Sequence, residues 1–586
     1  MKKKRWASLL SGLLVLLLVL SACGGQNATT HVNTEKENQK IPETVTNGKK
    51  AIKDGTLYYG VGTDTPFKGI FNPIFSVDNI DQPFINFFYP SLFKKTKDNE
   101  IVNGGAANVS YSKDYKTITV KLNKQLNWTD GKPVTSDDYI FAFEAIGHKD
   151  YQGYAYTSVD ESIKGMAAYH AGKAKTISGL KKINDKTVQI TFDKADPNVK
   201  TDLLSYPLEK SAFKGIPVSK MASSAPVRKH PVGYGPFKIQ SIVAGESVTF
   251  VRNDDYFAGK PKLKKVYASI VNPKIAKQKL KNGEVDLIDY AMEDYNPKTI
   301  PSNVKIVAMP EVSHFDLAFK LGHFDKQKGE NVTNPKAKMA DVHLRRAMGY
   351  ALNNKEVSQK LFKGLRVPAT SYIAPGYKEY HDSSLKGYTY NPKKAKQILD
   401  KAGYKDRDKD GYREDPSGKK LVIQLAASGQ EALTKYYIQN WKSVGLHVKL
   451  TNNRLIDFNS FYDRLGNDDK DIDIYLTYYA TNIDPTDQFG RHSQNNLTRY
   501  TSTENDALTK QINAPESFDS NYRRKVLFKW QKLVEEDAPE IPLFYTYSLM
   551  AVNKRVTRYS AYTGYNRDYD GLLKLGVSEK KPIKAK

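Results

Sequence analysis

The acidic stretch at residues 406–411 (DRDKDG) is the part of this 586-residue chain whose spacing best fits metal chemistry. It places carboxylates at positions one, three and five of a calcium loop, and its glycine allows the sharp turn. Position twelve is Ser417 where a calcium loop has glutamate, with Glu414 and Asp415 as substitutes. We therefore keep a calcium site as a hypothesis, and a solvated acidic turn is the alternative.

The sequence contains no GxSxG, HExxH or complete phosphate-loop motif. The ten histidines are scattered, and the closest pair, His314 and His323, is nine residues apart, so no Cys/His metal cluster can be drawn. The acidic pair Asp137-Asp138 is better explained by helix capping than by acid–base catalysis. We therefore expect a protein without enzymatic activity or a cofactor, and keep a surface hydrolase assembled from distant residues as a remote alternative.

Residues 1–22 form a leader with a basic start (KKKR) and an apolar run that is too short to span a membrane comfortably. The sequence LSAC at residues 20–23 resembles a bacterial lipobox, in which Cys23 receives a diacylglyceryl group. The alternative is an ordinary secretory signal with a chance cysteine. Because Cys23 is the only cysteine of the chain, the fold contains no disulfide framework.

The chain is strongly basic, and removing the four basic residues of the leader lowers its net charge only from +26 to +22. Such an excess is typical of proteins that bind nucleic acids or anionic surfaces. Here it is spread thinly, without a long basic run beyond the termini. We therefore favour contact with anionic lipids and wall polymers and expect no nucleic-acid partner.

Two kinds of local pattern predict an α/β fold. Residues 118–122 (ITVKL) alternate as in a half-buried strand, residues 130–133 (DGKP) form a turn, and Thr135 and Asp138 begin a helix. From residue 421 onward, strands LVIQLA, LHVKL and DIDIYLTYY alternate with helices EALTKYYIQNWKSV and DFNSFYDRL. This alternation indicates a mostly parallel sheet covered by helices.

Five motifs follow one another in a fixed order: WTDGKPVT at 128–135, PVGYGPF at 231–237, RNDDYFAGKP at 252–261, NPKAKMADVHLRRAMGYALNN at 334–354 and IPLFY at 541–545. In this order they resemble the extracytoplasmic solute-binding proteins of family 5, the receptors of oligopeptide, dipeptide and nickel import systems. The resemblance covers nearly the whole mature chain.

The resemblance implies a bilobed periplasmic-binding-protein-like fold of type II. Two α/β lobes are joined by two crossovers, and the first lobe carries an inserted α+β subdomain. We expect the leader at 1–22, a disordered tether at 23–54, lobe I at 55–94, 233–322 and 541–575, the inserted subdomain at 95–232 and lobe II at 323–540.

The resemblance also implies a function and a location. We expect a monomeric receptor, lipid-anchored through Cys23 at the extracellular face of the cell membrane. It would capture oligopeptides and deliver them to the permease and ATPase subunits of an ATP-binding-cassette (ABC) importer. A signalling peptide, haem or a metal chelate is the alternative cargo.

For ligand contact, oligopeptide receptors of the family carry an aspartate at a strand end that meets the α-amino group of the peptide. This chain reads ATNIDP at 480–485, so Thr481 takes the position of that aspartate. Asp484 or Asn482 is then expected to replace it, unless the N-terminus is not fixed by charge. Further candidates from stretches that flank the cleft in relatives are Tyr154, Phe315 and Tyr545.

Overall fold

The computed structural model describes residues 31–33, 40–77, 79–480, 482–563 and 568–586. The leader and Cys23 lie outside the described residues, as does Thr481. Within the described part of the chain, no helix has both the length and the apolar character that crossing a membrane requires.

Among the described residues, eleven strands form one mixed sheet. Two long antiparallel strands lie at its centre, the first crossover strand Val304–Phe319 and the second crossover strand Glu540–Asn553. Beyond the second crossover strand the order is Leu287–Asp289, Gly55–Gly62, Leu263–Val271, Ser247–Arg252 and Phe237–Val243. Beyond the first it is Ile474–Ala480, Val422–Ala427 and His447–Leu450, while Val367–Pro368 pairs with the second crossover strand.

Both crossover strands pass from one hydrophobic core to another. Val307 and Val552 belong to the first core, whereas Phe315 and Phe544 belong to the second. The predicted lobe boundaries at 322/323 and 540/541 fall at strand ends, but the change of core occurs inside each strand. A strand of 14 to 16 residues is long enough to serve two cores in turn.

The inserted segment contains a four-stranded antiparallel sheet in the order Ala107–Tyr111, Thr117–Leu122, Thr187–Thr191 and Leu180–Asn184. Helix Ser136–Ile146 begins as predicted, because Thr135 and Asp138 form a reciprocal capping box. The other helices of this segment are Ser158–Glu161, Met166–His170, Val199–Asp202, Val218–Met221 and Ala225–Arg228. Its buried side chains belong to the first core and do not form a core of their own.

The predicted alternation after residue 421 is confirmed, with parallel pairing of Val422–Ala427 to both of its neighbours. The second core is covered by helices Val342–Tyr350, Asn354–Phe362, Pro392–Lys401, Glu431–Ser443, Thr486–Phe489, Thr503–Ile512 and Ser520–Asp537. Helix Phe458–Gly466 packs on a smaller cluster that includes Ala426 and Tyr475. On the first-core side the helices are Gln82–Phe88, Pro273–Lys281 and Gly571–Lys574. Short 3-10 turns are Met292–Asp294, Thr451–Asn453 and Pro515–Phe518.

The predicted tether extends too far. Strands Lys40–Pro42 and Thr44–Thr46 lie within it, and their residues Ile41 and Val45 are buried. Strand Thr44–Thr46 pairs with Arg558–Ser560, from the other end of the chain. Residues 24–54 are mostly polar, so the sequence suggests disorder. Ile41 and Val45 are nevertheless buried, because parts of the chain that are distant in sequence pack against them. The remaining short strands pair as His31–Asn33 with Lys40–Pro42, Lys94–Lys95 with Ile101–Val102, and Gly322–Asp325 with Glu330–Thr333.

Candidate ligand-binding site

A cavity opens where the first crossover strand passes between the cores. The register of the two crossover strands shifts between Pro310 and His314, so the strand carries a bulge at the point where proline has no backbone N–H to donate. The cavity at this bulge has a volume of about 390 Å³. It is lined by Met309, Glu311, Val312, Ser313, Tyr478 and Ala480 from the sheet and by Asn99, Tyr377 and Tyr562 from outside it.

The bulge places one carboxylate, that of Glu311, at the wall of this cavity. Its Oε2 accepts hydrogen bonds from Tyr478 Oη at 2.5 Å, Thr546 Oγ1 at 2.5 Å and Ser313 Oγ at 3.0 Å. These hydroxyls come from three different strands, so the orientation of the carboxylate is fixed by the sheet itself. No side chain of the described residues donates a hydrogen bond to Oε1, and none of their cationic groups pairs with Glu311.

The strand that carries Tyr478 has an open edge beside the cavity. Residues 474–480 pair with the first crossover strand on one side. On the other side, Val422–Ala427 pairs only as far as Leu476. Among the described residues, the backbone of 477–480 therefore has an unpaired edge. An extended peptide can pair with such an edge and add a strand to the sheet.

Asp484, predicted to meet the ligand, is held by protein groups. Its Oδ1 accepts from Thr486 N at 3.0 Å, Thr486 Oγ1 at 2.6 Å and Asn513 Nδ2 at 2.9 Å, and its Oδ2 accepts from Asn198 Nδ2 at 3.0 Å. Asn198 belongs to the inserted segment and also accepts from Arg523 at 2.5 Å. We call Asn198, Asp484, Asn513 and Arg523 the Asn198 seam. The seam joins the two halves of the molecule.

Asn482 is exposed and lines, together with Asp484, a second and more polar cavity of about 1220 Å³ beside the seam. Two of the five predicted ligand-contact residues are thus brought together. Tyr154 is 79% exposed, on a loop of the inserted segment, and is not among the residues that line either of these cavities.

Phe315 and Tyr545 are buried where the crossover strands enter the second core. The Phe315 side chain is 7% exposed, and the guanidinium of Arg366 lies 5.6 Å from its ring centroid. The hydroxyl of Tyr545 donates to the Ser371 carbonyl oxygen at 2.8 Å and accepts from the backbone N–H groups of Thr370 and Ser371. In this arrangement they support the crossover and do not line the cavity at the bulge.

Sequence reasoning missed Glu311 and its three hydroxyl partners. One local signal was present, because Pro310-Glu311 interrupts an otherwise apolar strand. The partners of Glu311 could not be predicted from a local signal. Tyr478 and Thr546 reach Glu311 only through the pairing of three strands that are far apart in sequence.

The acidic loop forms part of the predicted calcium constellation. Carboxylate oxygens of Asp406, Asp408 and Glu414 lie within 4.8 Å of one another. Lys420 Nζ lies 3.1 Å from Asp408 and 3.2 Å from Asp410, so the loop already contains a positive charge of its own. Calcium binding at this loop stays a prediction.

Two α/β halves joined by two crossover strands, with a cavity at the crossover, define a bilobed binding protein of type II. Residues 100–498 match the family model for bacterial extracellular solute-binding proteins, family 5. The chain belongs to this family, and the predicted fold class is confirmed. Because the family consists of binding proteins, the chain is a solute receptor and not the surface hydrolase kept as an alternative.

The oligopeptide-binding protein OppA of Lactococcus lactis subsp. cremoris is 31% identical over 606 aligned residues, which cover 99% of each chain. The oligopeptide-binding protein AppA of Bacillus subtilis is 25% identical over 95% of this chain and 97% of its own. Among solved structures, lactococcal OppA in complex with an endogenous peptide, in the closed conformation, superposes with a TM-score of 0.73. That match has 30% identity and covers 89% of this chain and 100% of the other.

Proposed function

We propose that this chain captures oligopeptides outside the cell and delivers them to an ABC-type importer. The observation that carries the proposal is the cavity at the bulge, bordered by the unpaired edge of residues 477–480. Backbone pairing with an added strand is independent of side-chain identity, so it suits a receptor that accepts many peptide sequences. The full-length similarity to oligopeptide-binding proteins supports the same cargo.

A thermal-shift series tests the cargo. A ligand that binds only the folded protein raises the melting temperature by mass action. We expect peptides of graded length to raise it and free amino acids to leave it unchanged, since a single residue cannot pair along a strand edge. Haem and a nickel complex serve as the competing cargoes, and a shift with either of them but with none of the peptides would refute the proposal.

We further propose that the receptor is a monomer, anchored through two acyl chains on Cys23. One acyl chain alone gives marginal, reversible membrane binding, and the basic surface adds attraction to anionic lipids. Replacing the cysteine, Cys23→Ala, is expected to leave folded protein released or unprocessed. A variant that stays membrane-bound at high salt and is still cleaved after residue 22 would contradict the anchor.

A further inference from the structure

We infer that Glu311 is the charged anchor of the site and binds a cationic group of the bound peptide. The inference rests on the proposed function, because it assigns a specificity residue to the same cavity. The cation is an ammonium or guanidinium, supplied either by the N-terminus of the peptide or by a lysine or arginine side chain.

The first argument is that only one of the two oxygens of the Glu311 carboxylate accepts hydrogen bonds from described residues. Hydroxyl groups of Ser313, Tyr478 and Thr546 all converge on Oε2, and no described residue donates to Oε1. Hydroxyl donors orient the carboxylate but bring no positive charge to it. Because Glu311 is only half-buried and lies at the cavity wall, its second oxygen remains available for a ligand.

The second argument is the missing countercharge. The cavity lining carries aromatic and small polar side chains, and Glu311 is its only charged group among the described lining residues. The ammonium of Lys97 lies 5.8 Å from the ring centroid of Tyr562, but it is paired with Glu43 at 3.1 Å. Cations are attracted both to a carboxylate and to tyrosine faces, so this wall favours a positively charged ligand group.

The third argument is the contrast with Asp484, the residue expected to carry this role. Both oxygens of Asp484 accept hydrogen bonds from groups of the protein, whereas no described residue donates to Oε1 of Glu311. Tyr478 belongs to the strand with the open edge and its hydroxyl donates to Glu311, so the carboxylate and the edge on which a peptide can pair are linked through one side chain.

The test uses the full-length protein and three peptides in isothermal titration. The first is a hexapeptide with a free N-terminus and no lysine, arginine or histidine, the second its N-acetylated form, and the third an N-acetylated form with one lysine. On the wild type we expect acetylation to weaken binding about tenfold to a hundredfold, the range of a charge-assisted hydrogen bond. Glu311→Gln should weaken the free peptide by a similar factor and remove the difference from the acetylated form.

The third peptide identifies the source of the cation. If lysine restores binding to the wild type but not to Glu311→Gln, a side-chain ammonium reaches the site; if it restores nothing while acetylation still matters, the cation is the N-terminus. Either result supports the inference. Glu246→Gln, at an exposed turn, is the control for loss of one charge and should bind all three peptides as the wild type does.

Equal affinity of the wild type for all three peptides, unchanged in Glu311→Gln, would overturn the anchor and leave the proposed function standing. A wild type that binds none of them would overturn both. Should Glu311→Gln melt far below the wild type, Tyr478→Phe provides a second variant, because it removes one hydroxyl that orients the carboxylate. It should then weaken the free peptide more than the acetylated one, and equal weakening would also refute the anchor.

Discussion

Each half of the molecule buries ionisable side chains beside a crossover strand, but the two sets of side chains differ in how completely they are hydrogen-bonded. In the first-core half, Asp286 and Arg555 are both fully buried. Arg555 donates to both carboxylate oxygens at 2.6 Å, and Tyr58 N donates to Asp286 as well. The guanidinium also donates to the carbonyl oxygens of Thr56 and Glu579. Both charged groups of this pair are therefore hydrogen-bonded within the protein.

The second-core half contains the opposite arrangement. His314 and Asp316 form a buried pair at 2.5 Å on the first crossover strand, and Glu540 begins the second crossover strand nearby. The outer oxygen Asp316 Oδ1, His314 Nε2, Glu540 Oε2 and the hydroxyl of Tyr372 have no hydrogen-bond partner among the described residues. The two carboxyl groups of this cluster, Asp316 and Glu540, are thus buried without a full set of hydrogen bonds among the described residues.

The two clusters therefore act differently on the fold: one stabilises it, and the other makes its stability depend on pH. Burying an ion pair costs desolvation that only full hydrogen bonding recovers. The Asp286–Arg555 pair meets that condition, so it acts as a fixed tie between the second crossover strand and the first core. The cluster around Glu540 does not, so its lowest-energy state is one in which a carboxyl group holds a proton.

Removing one partner of the satisfied pair is expected to have the largest effect. Arg555→Met leaves the Asp286 carboxylate buried without a countercharge, which should lower the free energy of unfolding by about 3–5 kcal/mol. Urea denaturation followed by circular dichroism measures this loss.

Two variants check the cause. Asp286→Asn in the Arg555→Met background removes the unpaired charge and should recover part of the lost stability. Arg558→Met breaks a more exposed pair with Asp568 and should cost less than about 1 kcal/mol. If Arg555→Met costs no more than Arg558→Met, the two halves do not differ as we describe.

Because of the Glu540 cluster, we expect the free energy of unfolding to fall as pH rises. Burial raises the pKa of Glu540 well above its usual range, and the Asp316 carboxylate raises it further. Burial likewise raises the pKa of Asp316, although His314 opposes the shift. A raised pKa means that the folded state holds its proton more tightly than the unfolded chain. The stabilisation is complete below about pH 4.5 and is lost as pH rises towards the folded-state pKa.

Glu540→Gln keeps the shape of the side chain and removes one titrating proton. We expect it to flatten the decline of stability above about pH 4.5, by up to about 1.4 kcal/mol per pH unit. The remaining dependence comes from Asp316, whose pKa is also raised by burial. Burial raises the pKa values of Tyr372, Tyr475 and Tyr479 well above 10, so these hydroxyls stay protonated throughout this range. Glu246→Gln should keep the wild-type slope, and an equal slope in both variants would argue against a raised pKa of Glu540 in the folded state.

Elements with local signals were predictable from the sequence. Thr135 and Asp138 form the expected capping box because capping depends on residues three positions apart. Strand Val422–Ala427 and its neighbours appear where the alternation of apolar residues and helices indicated. The second crossover strand was indicated by the IPLFY motif, whereas the first was not predicted as a strand. The point at which each strand changes core was not predicted either.

The site was less accessible because its groups are joined by strand pairing alone. Glu311, Tyr478 and Thr546 are separated by more than sixty residues from one another, and nothing local marks them as partners. Asp484 was selected because it follows a strand end, but Asn198 lies 286 residues away and cannot be foreseen as its donor. A carboxylate in a sequence can be identified, whereas the groups that already satisfy it can be found only in the fold.

The smallest effect is expected at the Asn198 seam, and it separates a structural carboxylate from a ligand-binding one. The Asp484 carboxylate accepts four hydrogen bonds, whereas the amide of Asp484→Asn turns an NH2 donor towards the donor of Asn198 or Asn513. We expect this mismatch to lower the free energy of unfolding by about 1 kcal/mol. Because the seam already uses both oxygens, the affinity ratio of free to acetylated peptide should equal that of the wild type. Asp487→Asn, at a neighbouring acidic position, controls for the loss of charge. A ratio that falls to one in Asp484→Asn would return the ammonium contact to Asp484 and remove it from Glu311.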